Sequence, residues 1–215
     1  MRTILFLAIA LIVVGCGLAR ISPSSAVEKP PVIEIPQGPV RSIIESAAQQ
    51  TRTTTAYTQK YFNIAYPNGD VPTETGACTD VVIRSFRAAG VDLQKEVHED
   101  MSANFSIYPQ KWGLAKPDTN IDHRRVPNLQ NFFERAGAKL PVTSRAEDYS
   151  AGDLVTWMLP GNLPHIGIVS DQKVAGGRAK IIHNIGAGPV EDDILFRYTI
   201  TGHYRFLPEK AERNR

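Results

Sequence analysis

The sequence reads as an α+β domain with helices first and a small antiparallel sheet after them. Val81, Val82, Phe86, Ala88 and Ala89 fall at helical spacing, and Gly90 closes the run. Leu129, Phe132 and Phe133 mark a further helix. Past residue 150 the pattern changes to short β-rich runs, at 154–158, at 165–169 and in "AKIIHNIGAG", punctuated by glycine and proline.

In chain order, Met1 and Arg2 precede an apolar run from Ile4 to Val14, too short for an anchor helix but suited to the core of a secretory signal. Residues 1–15 are therefore set apart from the fold. The run ends Val13-Val14-Gly15-Cys16, similar to the lipobox of bacterial lipoproteins, in which the cysteine takes the lipid; the alternative is cleavage after Ala26, in Ser24-Ser25-Ala26. Residues 16–39 carry Pro23, Pro30, Pro31, Pro36 and Pro39, a composition expected of an extended tether. Residues 40–207 fit one domain, and the chain's 42% apolar content supplies a core. The tail 208–215, "PEKAERNR", is charged.

The chain has 24 basic and 22 acidic residues, and without Arg2 the balance is 23 against 22. That balance gives no electrostatic case for nucleic acid. There is no internal repeat, heptad run, dinucleotide fingerprint or P-loop glycine pattern.

With Cys16 acylated or removed, Cys78 stands alone in an exported chain, where structural cysteines are normally paired. One reading is a small buried hydrophobe. The other follows from its place: "YPNGDVPTETGA" is turn-rich, so Cys78 opens the helix, where N–H groups and the helix dipole favour a thiolate. Among five histidines, His98 lies in a polar helical stretch and reads as solvated, and His203 lies in a last strand and reads as structural. Asp122, His123 and Arg124 belong to "NIDHRRVPN", either a groove lining or a solvated loop. His165 begins the strand after "GDLV", and His183 sits on the next one.

The order "GDLV", "HIGIV", "IIHN" behind a helix-opening cysteine resembles the NlpC-like cell-wall cysteine peptidases, over roughly residues 60–190. The resemblance implies a papain-like fold with N-terminal helices and a small antiparallel sheet, acting on peptide bonds of peptidoglycan stems. It implies Cys78 as nucleophile, His165 as base and His183 as the group orienting His165. Tyr66, 12 residues before Cys78, matches a tyrosine that shapes the reacting centre in those relatives. Ala77-Cys78-Thr79-Asp80 departs from their Asp-Cys-Ser-Gly, and "WGLAKPDTNIDHRRVPN" is similar instead to an uncharacterised bacterial family related to them.

A Cys–His pair performs acyl transfer through a thioester, with backbone N–H groups at the helix start as oxyanion donors, and needs no cofactor. Asn184 is the alternative orienting residue, pointing to the opposite face from His183. The expected partners are peptidoglycan or another envelope peptide, and the membrane through a lipid on Cys16. Two other functions compete: a zinc hydrolase using His123, His165, His183 and Asp122, and a muropeptide-binding lipoprotein without turnover.

Overall fold

A computed structural model describes residues 37–207. The signal, Cys16, Ala26, most of the tether and the tail lie outside the described residues. The architecture is mixed α+β, with four helices and a six-stranded antiparallel sheet among the described residues.

Helix α1 spans Pro39–Thr53. Pro39 is its first residue, not the last of the tether, because a proline at N1 has no N–H to leave unpaired and a φ already suited to the helix. Its buried side includes Ile43, Ile44, Ala47 and Gln50 and packs on α2, Cys78–Ala88. Gln50 Nε2 donates to the Val81 carbonyl at 3.1 Å and to Ser85 Oγ at 3.2 Å, so the polar face of the contact is hydrogen-bonded. Gly90, at φ +87°, takes the left-handed conformation just past the end of α2. Helix α3, Leu93–Ala103, starts at Asp92, whose carboxylate accepts from Gln94 N–H. Helix α4 is Val126–Arg135.

Between α1 and α2 the chain forms a parallel ribbon of β1 (Ala56–Tyr57) and β2 (Thr75–Gly76). The main sheet contains β3 (Lys139–Leu140), β4 (Leu154–Leu159), β5 (Leu163–Lys173), β6 (Ala179–Asn184), β7 (Pro189–Asp192) and β8 (Thr199–Tyr204). Their spatial order is β3-β8-β4-β5-β6-β7. β5 extends beyond residues 165–169 at both ends because it pairs with β4 from Leu163 onward and with β6 as far as Lys173.

Alternation divides the sheet into two buried faces. Leu154, Ile166, Ile168, Ile182 and Tyr204 join Phe86, Leu129 and Phe133 of the helices. Val155, Trp157, Val169 and Ile181 pack on the opposite face with Tyr149, Ile194 and Leu195. Full burial of each such aliphatic or phenyl side chain stabilises the fold by about 1.5–3 kcal/mol relative to exposure. Both faces being buried explains why the central strands read as continuous apolar runs.

Candidate active site

Cys78 is the first residue of α2, and Ala77 before it is extended. Asp80, at the third helical position, reaches back to accept the Ala77 N–H at 2.6 Å. The same carboxylate takes two hydrogen bonds from Arg124, Nε at 2.8 Å and Nη2 at 3.0 Å. Arg124 lies at the end of a 3₁₀ turn, Asp122–Arg124, and also donates to the Lys60 carbonyl at 2.8 Å, while its own carbonyl accepts from Thr79 Oγ1 at 3.2 Å. The Asp80 and Arg124 side chains are 3% and 2% exposed. A buried, bidentate ion pair thus fixes the turn that carries the thiol.

The thiol itself is protonated at rest. Burial pushes the Cys78 pKa up to about 11, and the nearby Asp80 carboxylate adds to this; N–H groups of Ile166, Thr79 and Cys78 act in the opposite direction. The thiolate expected from the helix terminus is therefore overridden by desolvation.

His165 and His183 are brought together, with His165 Nε2 and His183 Nδ1 3.0 Å apart and the rings edge to face. Burial lowers the His165 pKa to about 3, with help from His183, and that of His183 to about 4, so both imidazoles are neutral at pH 7. His165 also packs on Trp157. Its side chain shares the Trp157 face of the sheet, whereas Ile166, the next residue, packs with Cys78. No hydrogen bond joins Cys78 to His165 among the described residues; the Ile166 N–H is the β5 group that touches the sulfur. Gly167 keeps the strands close: a Cβ there would lie 2.6 Å from Ile181 Cγ2 and 3.0 Å from His183 Cβ.

Asn184 points away from His165, as strand alternation requires. Its Nδ2 donates to the Gly76 carbonyl at 2.9 Å, tying β6 to the β2 segment two residues before Cys78.

Cys78 lines a cavity of about 490 Å³ together with Tyr57, Trp112, Arg125 and Pro164. Tyr66 does not line it; the Tyr66 ring sits 5.0 Å from His98 on α3, because the 58–74 loop carries it away from the cysteine turn. Tyr57 is the tyrosine beside the thiol, its pKa raised by burial and then by Cys78. His98 is half-buried rather than solvated. Asp122 and His123 are also buried and do not line the cavity, so they do not serve as groove contacts. Asp122 holds Arg125 at 3.1 Å, and burial pushes the His123 pKa down to about 3. A larger cavity of about 570 Å³, along α1 and α2, is lined by no cysteine or histidine. No three of His, Cys, Asp and Glu converge as metal ligands among the described residues, so the set His123, His165, His183 and Asp122 is not assembled.

The family model described as "Domain of unknown function (DUF1287)" matches residues 44–206, most of the chain and every site residue above. The chain belongs to the DUF1287 family. It is 50% identical over 178 residues to the uncharacterized protein YijF of Escherichia coli (strain K12), a span covering 83% of this chain and 87% of that protein. What this DUF1287 site presents chemically is a buried thiol opening on a cavity, beside a strand whose neutral imidazole pair leaves two ring nitrogens, His165 Nδ1 and His183 Nε2, outside the pair.

Sequence reasoning missed Asp80, Tyr57 and Trp112 as parts of the site. Asp80 was open to recognition, since an acid at the third helical position is a capping signal. Tyr57 and Trp112 reach the cavity through irregular chain with no periodic signature.

Proposed function

We propose that the protein is an exported, lipid-tethered cysteine hydrolase of papain-like fold that cleaves amide bonds in peptidoglycan stem peptides or another envelope peptide. The observation that carries this reading is Cys78 Sγ at a helix start, on a cavity, touched by the N–H of the residue directly after His165. With His165 Nε2–H donating to His183 Nδ1, His165 Nδ1 keeps the lone pair that a general base requires. Burial raises the Cys78 pKa and lowers that of His165, and both shifts disfavour a resting thiolate–imidazolium pair. Proton transfer is therefore concerted with attack. As sulfur bonds to the substrate carbonyl carbon, its proton passes to His165 Nδ1; because His165 shares the Trp157 face of β5 and Cys78 packs with Ile166 on the other, this transfer requires residues 163–165 to turn the imidazole to the Cys78 side. The imidazolium returns the proton to the leaving amine, and water hydrolyses the thioester. N–H groups at the start of α2 face the developing oxyanion.

A second reading, muropeptide binding without turnover, is favoured by the buried protonated thiol and the missing Cys78–His165 hydrogen bond. Digestion of purified peptidoglycan, followed by mass analysis, separates the two. New peptide termini with the wild type and none with Cys78→Ala are expected. Retention of unaltered fragments by both proteins establishes the binding module instead.

A further inference from the structure

Three cationic side chains, Lys111, Arg124 and Arg125, line the Cys78 cavity, and its lining contains no carboxylate. The three are not equivalent. Arg124 is paired with Asp80 and donates to the Lys60 and Thr58 carbonyls. Arg125 donates one hydrogen bond, Nη1 to Asp122 Oδ1 at 3.1 Å, from a guanidinium with five N–H donors. Its Nε and Nη2 carry no protein partner among the described residues. The Trp112 ring lies against one side of the group, its centroid 4.1 Å from the guanidinium carbon. Burial of the ion also disfavours its charge, a cost that an anionic ligand offsets. Lys111 is exposed on the same cavity and adds a second positive charge with no ion-pair partner among the described residues.

A half-buried guanidinium lying over an indole, with Nε and Nη2 free of protein partners among the described residues, is matched by an anion that accepts two parallel hydrogen bonds. We propose that Arg125, with Trp112 and Lys111, is a carboxylate-recognition subsite, and that the amide ligand carries a free carboxylate close to the amide presented to Cys78. This rests on the reading of the cavity as the substrate site. It adds that selectivity lies in the free acid and that Arg125 is its determinant. A phosphate group also accepts two parallel hydrogen bonds from such an edge, so competition between phosphate and acetate distinguishes the two anions.

The test is calorimetric titration of the full chain carrying Cys78→Ala, which separates binding from turnover, with N-acetyl-alanyl-alanine and its C-terminal carboxamide. At least tenfold tighter binding of the acid is expected. Arg125→Gln should bring the acid down to the affinity of the carboxamide, and Arg125→Lys, which keeps charge but not the fork, should restore only part of the preference. Inorganic phosphate should compete more weakly than acetate. Equal affinity for acid and carboxamide, binding of neither, an undiminished preference in folded Arg125→Gln, or stronger competition by phosphate overturns the proposal. Selective binding with no peptidoglycan cleavage by the wild type would sink the hydrolase reading and leave this subsite standing; cleavage with no acid preference would do the reverse.

Discussion

Burial and a helix terminus pull the Cys78 thiol in opposite directions. A helix dipole contributes at most about 2 kcal/mol, roughly one and a half pKa units, whereas full burial of an ionisable group shifts it by up to about 3–5. Desolvation therefore wins, and the thiol stays protonated. With a pKa near 11 in place of 9, the thiolate fraction at pH 8 falls on the order of 10²-fold. Iodoacetamide should modify Cys78 about that much more slowly than a model thiol, and kcat/KM for peptide cleavage should be level from pH 5 to 9. Fast labelling at pH 7, with an alkaline rise in rate near pH 8, would mean a preformed thiolate and contradict the concerted step. At this scale the helix-opening position of Cys78 and the His165–His183 contact were legible from the regular elements that carry them, whereas the side of β5 that His165 takes, opposite Cys78, was not. The state of the thiol was not, since burial depends on Ile166 and on helices distant in sequence.

At the scale of elements, the thiol is placed by two attachments from elsewhere in the chain. Asp80 and Arg124 join α2 to the turn before α4, and Asn184 joins β6 to β2. Removing one member of a buried ion pair typically costs about 3–5 kcal/mol, because the other charge is left uncompensated. Arg124→Met should lose that much in urea unfolding, and Arg124→Met with Asp80→Leu should recover much of it. A single-variant loss under about 1 kcal/mol would show the pair to be dispensable. Asn184→Ala should destabilise by about 1–3 kcal/mol through the orphaned Gly76 carbonyl, with turnover reduced less than tenfold. His183→Ala should lower kcat by on the order of 10² with substrate binding little changed. The reversed order of kcat losses would assign the orienting role to Asn184. The helix of Cys78, the helix of Phe132 and Phe133 and the three central strands could be read from periodicity. Helix α1 was not singled out, because Ser42, Ser46, Gln49, Thr51 and Thr53 dilute its apolar face and Pro39 looked continuous with the prolines before it.

Across the whole molecule, three imidazoles are buried neutral: His123 and His165 near pKa 3 and His183 near 4. Their folded pKa values lie below the unfolded 6.5, so the unfolded chain takes up protons first as pH falls. The sign is fixed: stability is unaffected by them above about pH 7 and declines below about 6.5. Each removes about 2 kcal/mol by pH 5, and together they should lower Tm by on the order of 10 °C between pH 7 and 5. Asp122, its pKa raised by burial, works against this in more acid solution. A Tm constant within 2 °C over that range would show that these histidines take up protons in the folded protein. The α+β class was legible from the change in periodicity along the chain. The strand order was not, because β8 pairs with β3 and β4 rather than with its predecessor, a choice made by Leu154, Tyr204 and the helices packed over them.

That strand order also sets a timetable. β3 and β4 are synthesised well before the strand that fits between them, and β4 keeps one unpaired edge until residue 204 has emerged. The sheet closes last through its most distant partner in sequence, so folding waits for nearly the whole chain and proceeds slowly for a domain of this size. A nascent or truncated chain ending before Thr199 presents the open backbone of β4 to its neighbours, and is expected to accumulate as aggregate rather than as a smaller folded domain.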